Sequence, residues 1–318
     1  MGILAQQVLQ QLPRGRRAQA WREHPDVLQH ALISSMPSFD MSYTLHRTAA
    51  LLGAAVFLAV CARAATPQEE AFLKAWGAHA RTPNDHKAVI EACQSVMDKS
   101  STLGEFLPAV KTLAAWHLLA GGMQADAVRI FESAVTEDKA GRPIARFADI
   151  MARRWLTRID HAKVEIALKT YYAENVEYPS SLAPLLNLPA GKAPPKNDRF
   201  GDPWAYKIEP FSRLSGLANQ RYSLFSKSMG NKLTKLTAWP LDRYGSPKSA
   251  AILGRKTANP ISVEFETVTE VGTQRGVATE NGLINGIRFL KLDSDGRFAL
   301  MIDSECDYWV VATPARSR

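Results

Sequence analysis

Residues 155–175 have the sequence WLTRIDHAKVEIALKTYYAEN, and this stretch decides the fold of the chain. Its apolar side chains recur every three to four positions and form two neighbouring ridges. One ridge runs from Trp155 to Ile166 and the other runs from Val164 to Tyr172. The pattern predicts a helix that is apolar over a broad arc, so we expect other elements to cover it on more than one side.

The predicted helix ends before Tyr178-Pro179, because a proline disfavours the helical conformation of the residue that precedes it. A second, short helix is expected to extend through Leu186. Its N-cap is Ser180 or Ser181, since a serine hydroxyl can accept a hydrogen bond from the first backbone amides of a helix. A loop rich in proline, glycine and lysine follows this helix.

Two short strands are predicted after that loop, at residues 204–208 and 221–226, because apolar and polar residues alternate there. Their aromatic side chains supply a sheet face on which the apolar helix can pack. The aromatic residues expected on this face are Trp204, Tyr206, Tyr222 and Phe225.

Four short motifs between residues 159 and 230 occur in a fixed order. They are Ala167-Leu-Lys-Thr-Tyr-Tyr172, Tyr178-Pro179, Asp198-x2-Gly201-x-Pro203-Trp204-x-Tyr206 and Tyr222-Ser-Leu-Phe-Ser226. In order and spacing, this segment resembles the globular domain of the major, G-type pseudopilin of type II secretion systems. The resemblance implies a long helix packed on a small antiparallel sheet. The fold-signature residues that it implies are Leu168, Tyr171, Tyr172, Tyr178, Pro179, Asp198, Gly201, Pro203, Trp204, Tyr206 and Tyr222.

Two features depart from that family. Pseudopilins carry about twenty apolar residues directly before the globular part, which anchor the subunit and pack in the fibre core. Here Arg153-Arg154 and polar helices precede the helix instead, so we do not expect pseudopilin-like polymerisation. The loop at residues 227–232, where the family binds calcium, contains two lysines and no carboxylate. Calcium prefers carboxylate oxygens, so we expect no metal ligand here.

Residues 41–64 have the layout of an export signal. Residues 49–60 form an uncharged, mostly apolar run, and Ala62-Arg-Ala64 matches a signal-peptidase site. We interpret residues 1–40 as a disordered, over-extended start and 41–64 as a signal peptide, so the protein is exported and periplasmic or envelope-associated. The alternatives are a buried or interfacial helix, or lipidation of Cys61, which Val60 disfavours.

Residues 66–150 predict a helical region. Asp85 is an N-cap candidate, Thr102-Leu-Gly-Glu105 has the pattern of a capping box, and Gly121-Gly122 ends the second helix. A third helix is predicted at residues 124–137. The pair at residues 106–138, with Ala127-x3-Phe131-x2-Ala134, resembles a tetratricopeptide repeat, and a generic helical hairpin is the alternative. The histidines of this region, His79, His86 and His117, lack the spacing of metal ligands and are interpreted as surface or core residues.

Residues 259–318 predict a small β-rich module. Strict alternation at 261–268 indicates a half-buried strand, and three further segments suggest a meander at 287–292, 297–302 and 308–311. Asp293-x-Asp295-Gly296 resembles the start of a calcium loop. It lacks the remaining ligands and lies between two strands, so we predict a hairpin turn.

Composition excludes several classes of protein. With 46% hydrophobic residues and three cysteines among 318 residues, the chain is neither disordered throughout nor a disulfide miniprotein. The net charge is +8, and residues 159–258 hold fifteen Lys/Arg against eight Asp/Glu, which leaves an anionic partner or a solvated basic surface open. Cys93 and Cys306 either pair or remain separate thiols.

No catalytic motif is present: G-x-S-x-G, H-E-x-x-H, C-x-x-C and a phosphate-binding loop are all missing from the sequence. We therefore expect an α+β protein that is not an enzyme, with no catalytic residue, cofactor or metal. Expected partners are envelope proteins, with no small-molecule substrate or nucleic acid, and with membrane contact only through an uncleaved signal segment.

These observations predict a helical region at 66–150, a pseudopilin-like α+β domain at 151–258 and a β-rich module at 259–318. The expected function is a binding or scaffolding part of a secretion or pilus-type system in the cell envelope. Two alternatives stay open, namely a periplasmic helical-repeat adaptor that binds a peptide or protein, and an enzyme with a dispersed site.

The signal-peptide interpretation makes a direct prediction about processing. N-terminal sequencing of the exported protein should begin at Ala65, because signal peptidase cleaves after the second small residue of the Ala-x-Ala motif. Recovery of a mature chain that retains Gly2 to Asp40 would contradict the interpretation.

Overall fold

A computed structural model describes residues 65–99, 103–135, 142–189, 191–209, 220–239, 241, 244 and 248–315. These residues belong to one compact unit, 63–318, of mixed α+β architecture with a C-terminal β meander. The expected start and signal peptide, with Ala62 and Ala64, lie outside the described residues. None of the helices in the described part is both long and apolar enough to cross a membrane.

The helical region contains two consecutive helix pairs. Asp85 caps the second helix as predicted, since its carboxylate accepts a hydrogen bond from the Ala88 amide at 3.0 Å. The helix Leu107–Ala120, for which the capping box was predicted, follows a 3-10 turn and has no side-chain cap. Thr102 of that predicted capping box lies outside the described residues. The bounds are α1 (Pro67–Arg81), α2 (His86–Met97), α3 (Leu107–Ala120) and α4 (Gln124–Ala134).

A single helix, α5 (Pro143–Asn175), spans 33 residues, or about 50 Å at 1.5 Å per residue. The sequence predicted its end correctly but placed its start twelve residues too late, at Trp155. Pro143 suits the first turn, where a backbone N–H has no helical partner. The predicted domain boundary between residues 150 and 151 therefore falls inside a continuous helix.

The C-terminal half of α5 faces a two-stranded antiparallel sheet, in which Tyr206 pairs with Leu224. Ile166 is 64% exposed, although the sequence placed it on a covered ridge. The predicted serine cap of the short helix is wrong, because Leu182 occupies the N-cap and makes no side-chain hydrogen bond. The bounds are α6 (Ala183–Leu186), β1 (Ala205–Glu209), β2 (Arg221–Phe225) and α7 (Asn231–Thr234).

A seven-stranded sheet follows, with the order β5-β4-β3-β9-β8-β7-β6. Its pairs are antiparallel except β3–β9, which is parallel. The predicted meander of β7, β8 and β9 is confirmed, and Asp293 to Gly296 form its first turn. The bounds are β3 (Ser249–Ala258), β4 (Ile261–Thr269), β5 (Gly272–Thr279), β6 (Leu283–Ile284), β7 (Ile287–Leu292), β8 (Ala299–Asp303) and β9 (Trp309–Pro314).

The strand β8 is buried on both faces. Leu300 and Ile302 belong to a core cluster that also contains α1 to α5, whereas Ala299 and Met301 belong to a second cluster with β3, β4 and β5. Because both sets of side chains avoid water, the strand is apolar at successive positions instead of alternating. The helices therefore share one core with one face of the sheet.

A buried carboxylate joins this sheet to α5. Asp307, in the β8–β9 turn, accepts hydrogen bonds from Arg154 Nε at 2.9 Å and Nη2 at 3.1 Å. Arg158 Nη2 donates to the same carboxylate at 2.7 Å, and the Trp155 indole donates to the Asp307 carbonyl at 3.1 Å. Asp307 and Arg158 are both fully buried. The turn is thus tied to successive turns of α5 through charge-assisted hydrogen bonds.

Further contacts fix both sides of this ion cluster. The Arg158 guanidinium lies 4.5 Å from the ring of Trp155 and 4.1 Å from the ring of Trp239, which are cation–π distances. On the turn, the Asp303 carboxylate accepts hydrogen bonds from the backbone amides of Asp307 and Tyr308. Burial raises the pKa of Asp303 to about 6, because desolvation disfavours its charged form.

Replacing Asp307 by Asn should leave two buried guanidinium groups without their shared counter-charge. We expect the free energy of unfolding to fall by about 3–5 kcal/mol, the usual cost of breaking a buried ion pair. Chemical denaturation at pH 7 measures this change.

The matched control is Glu91→Gln, which removes the carboxylate of the exposed Lys87–Glu91 pair. That pair is worth less than about 1 kcal/mol, because solvent screens both charges. Equal losses in D307N and E91Q would contradict a stabilising role for the buried cluster.

Candidate functional site

The fold-signature residues gather around the C-terminal half of α5. Leu168 of α5 and Trp204, directly before β1, are buried in one apolar cluster with Leu224 of β2. Tyrosines from α5, the following loop and both strands pack against this cluster and remain partly exposed. The cluster consists of Val164, Ala167, Leu168, Leu185, Trp204 and Leu224, surrounded by Tyr171, Tyr178, Leu182, Leu188, Tyr206 and Tyr222.

Four tyrosine rings form a continuous contact series beside this cluster. Tyr178 lies 4.6 Å from Tyr172 and 4.7 Å from Tyr222 between ring centroids, and Tyr222 lies 6.0 Å from Tyr206. The Tyr206 hydroxyl donates a hydrogen bond to the Pro179 carbonyl at 2.8 Å. Burial raises the pKa of Tyr206 and of Tyr222 to about 12. Both hydroxyls therefore stay protonated at neutral pH.

Asp198 organises the turn that precedes β1. Its carboxylate accepts hydrogen bonds from the amides of Phe200 at 2.9 Å and Asp202 at 3.0 Å, and from the Ser226 hydroxyl at 2.5 Å. Gly201 adopts a φ of +96°, a conformation that favours glycine. These contacts connect the turn to the end of β2, so this pair of signature residues has a structural role.

An open cleft of about 320 Å³ lies next to the signature cluster, between α5, α6 and the start of β1. This volume lies at the lower end of the range of ligand-binding pockets, roughly 300–1,000 Å³. Polar groups reach it from Ser180, Ser181 and Lys196. Its apolar lining includes Leu182, Leu186, Pro194, Pro195, Trp204 and Tyr206.

The surface that the cleft offers is mainly apolar. The Trp204 indole donates to the Pro195 carbonyl at 2.9 Å, which holds the proline loop beside the cleft. Within the described part of the chain, no group of three or more His, Cys, Asp or Glu is placed to hold a metal ion. An apolar lining with a few hydroxyls and one lysine is suited to burying apolar side chains of another molecule.

A second cluster, which the sequence did not predict, joins three histidines of the helical region. His117 Nε2 lies 3.1 Å from His79 Nδ1, and His117 Nδ1 lies 3.0 Å from His86 Nδ1. His117 is fully buried and His79 nearly so. His79 and His117 are core histidines, one of the two interpretations, whereas His86 is partly exposed. Their mutual hydrogen bonds follow from the packing of α1, α2 and α3. The only signal in the sequence was their position near helix ends.

Burial also changes the acidity of these histidines. Desolvation lowers the pKa of His79 to about 4 and that of His117 to about 3, so both are neutral at pH 7. The rings of Trp76, Trp116 and Tyr244 pack around them. Elsewhere in the chain, Cys93 is buried and Cys306 partly exposed, and both thiols are free.

Substitution of Asp198 by Ala should remove three hydrogen bonds to a buried carboxylate. We expect a loss of about 2–4 kcal/mol in the free energy of unfolding, since hydrogen bonds to charged groups are worth about 1.5–3 kcal/mol each before relaxation.

Asp202→Ala, in the same turn, is the control. The exposed Asp202 carboxylate accepts one hydrogen bond, from the Ser228 hydroxyl, so its loss should cost less than about 1 kcal/mol. Chemical denaturation measures the free energy of unfolding of both variants. If D198A loses no more of it than D202A, Asp198 does not organise the turn.

Comparison of the chain with protein-family models, with curated proteins and with solved structures found no match. The contacts around α5 and the open cleft are therefore the basis for assigning a function.

Proposed function

We propose that this protein is an exported, non-catalytic component of the cell envelope that binds or scaffolds proteins of a secretion or pilus-type system. In this proposal, α5 and the β1–β2 pair correspond to the helix and sheet of a pseudopilin globular domain. The observation that supports it best is the convergence of the signature residues Leu168, Tyr178, Trp204, Tyr206 and Tyr222 on one cluster beside an open apolar cleft.

The packing of α5 supports a role other than fibre subunit. In pseudopilins the N-terminal part of the long helix packs against other subunits in the fibre core. Here the N-terminal half of α5 is covered by its own chain, because Ile144, Ala148, Ala152 and Trp155 are buried in the core shared with α3, α4 and the sheet. In this proposal, the protein therefore contacts its partners through the C-terminal half of α5.

The cleft is the proposed contact surface. Leu186, at the end of α6, is 36% exposed and lines the cleft beside two prolines. In this proposal, a partner's apolar side chain is buried against Leu186 and the adjoining prolines of the cleft. The hydroxyls of Ser180 and Ser181 supply polar groups at the edge of such a contact.

The helical-repeat alternative receives less support from the packing. A peptide-binding groove requires a helix face that is open to the partner, whereas α3 is buried on every side. Ala109, Val110, Leu113, Trp116 and Leu119 are each at most 5% exposed. The tetratricopeptide-like residues Ala127, Phe131 and Ala134 are buried as well. In this proposal, the partner contact therefore lies outside α3 and α4.

Photo-crosslinking in the native envelope tests the proposal. A photoreactive amino acid at Ser180, which is exposed at the cleft, should give crosslinks to proteins of a secretion or pilus-type machine, identified by mass spectrometry. The same probe at Lys87, on the exposed face of α2, is the position control. Crosslinks to the same proteins with equal yield at both positions, or none at Ser180, would contradict the proposal.

Leu186→Asp provides a second measurement with the same probe. A charge in the cleft should lower the crosslink yield at Ser180 about tenfold or more, because burying an uncompensated carboxylate costs several kcal/mol. Since Leu186 is partly exposed, the change in the free energy of unfolding should be below about 1 kcal/mol. An unchanged yield in a folded L186D protein would exclude the cleft as the contact surface.

A further inference from the structure

The histidine chain joins three helices in a way that allows a simple count of protons. A neutral imidazole has one N–H donor and one acceptor nitrogen. His117 is hydrogen-bonded through both ring nitrogens, so it must donate to one neighbour and accept from the other. The neutral chain therefore satisfies both bonds in either direction, and each bond crosses between helices.

The histidine chain can take up one proton without losing a hydrogen bond, but not two. A proton added at His86, the partly exposed end, keeps both hydrogen bonds, because the donors still alternate with acceptors along the chain. A second proton places two N–H donors against each other and breaks a bond. Further protonation thus acts directly on the contacts that hold α1 and α2 on α3.

The surroundings of the histidine chain, as far as the structure describes them, are mostly aromatic. Among the described residues, no carboxylate forms an ion pair or a hydrogen bond with these histidines, whose ring neighbours are aromatic. The titratable group that packs on them is the ring of Tyr244. Next to Tyr244 lie the Tyr308 hydroxyl, the Asp303 carboxylate and the Cys93 thiol. Burial raises the pKa of all four groups, so Tyr244, Tyr308 and Cys93 are neutral at acidic pH, and Asp303 loses its charge as the pH falls through about 6.

The other end of α1 is also held by an acid-labile contact. The Glu69 carboxylate accepts hydrogen bonds from the Ser294 amide at 2.9 Å and the Ser294 hydroxyl at 2.8 Å, as well as from the Thr66 amide. These bonds lower the pKa of Glu69, although burial opposes them. Acid therefore weakens the attachment of α1 at the histidine end first and at the Glu69 end at lower pH.

We propose that the chain His86–His117–His79 is an acid-sensitive latch, which holds α1 and α2 on α3 at neutral pH and releases them at mildly acidic pH. Release would expose the aromatic surface of Trp76 and Trp116. This inference concerns the helical region and does not depend on the cleft or on the proposed partners.

The direction and size of the effect follow from proton linkage. The pKa values of His79 and His117 are lower in the folded protein than the ordinary value of 6.5, so the released state binds more protons. The stability contributed by the latch is complete above pH 6.5 and is lost as the pH falls toward 4 and 3. With both groups protonated only after release, the population of the released state should rise by about two to three orders of magnitude between pH 7 and pH 5.

Hydrogen exchange of the full chain, followed by mass spectrometry at pH 7 and pH 5, tests the latch. After correction for intrinsic exchange rates, amides of α1 and α2 should lose about a hundredfold or more in protection, while α5 and β8 should change much less. An equal loss across all four elements, or no loss in α1 and α2, would overturn the proposal.

Variants separate the latch from general acid denaturation. His117→Gln keeps one donor and one acceptor but does not titrate, so the acid response of α1 and α2 should fall about tenfold or more. His79→Gln provides the same test at the less buried end if H117Q fails to fold. His161→Gln, which changes a buried histidine bonded to the Leu224 carbonyl, should leave the response intact. A full response in H117Q or H79Q would also overturn the proposal.

Discussion

One buried carboxylate, Asp307, connects the two halves of this molecule. Arg154 and Arg158 are four residues apart on α5, which places both guanidinium groups on one face of the helix and within reach of the same acceptor. The β8–β9 turn is thereby fixed against the middle of α5, and β8 can contribute one of its faces to the helical core. On that face, the apolar residues Leu300 and Ile302 are buried against the helices.

The position of this attachment divides α5 into two parts with different roles. The first half packs on helices and sheet of the same chain through Ile144, Ala148 and Trp155. The second half extends beyond this packing, and the tyrosine and tryptophan residues of the small sheet pack against it. The cleft next to Trp204 lies beside this second half, while the helical region carries the buried histidines.

The sequence predicted those elements that are encoded by residues close together in the chain. The periodicity of residues 155–175, the alternation of β4 and the carboxylate cap at Asp85 all appear in the structure. The sequence could not predict the earlier start of α5, because Arg154 looks like a surface residue until its partner, 153 positions away, is known. The strands β3 and β5 were missed because their glycines, threonines and charged residues give weak alternation. The histidine chain depends on helix packing, which sequence spacing does not report.

Native-state hydrogen exchange in increasing denaturant tests most directly whether α5 and the C-terminal sheet are one cooperative unit. If Asp307 and the shared core join them, the slowest amides of α5 and of β8 should exchange through the same opening, with the same free energy and the same denaturant dependence. If the amides of β8 exchange through an opening of clearly lower free energy while those of α5 stay protected, the sheet is a separate module, and the central role assigned to the buried carboxylate is wrong.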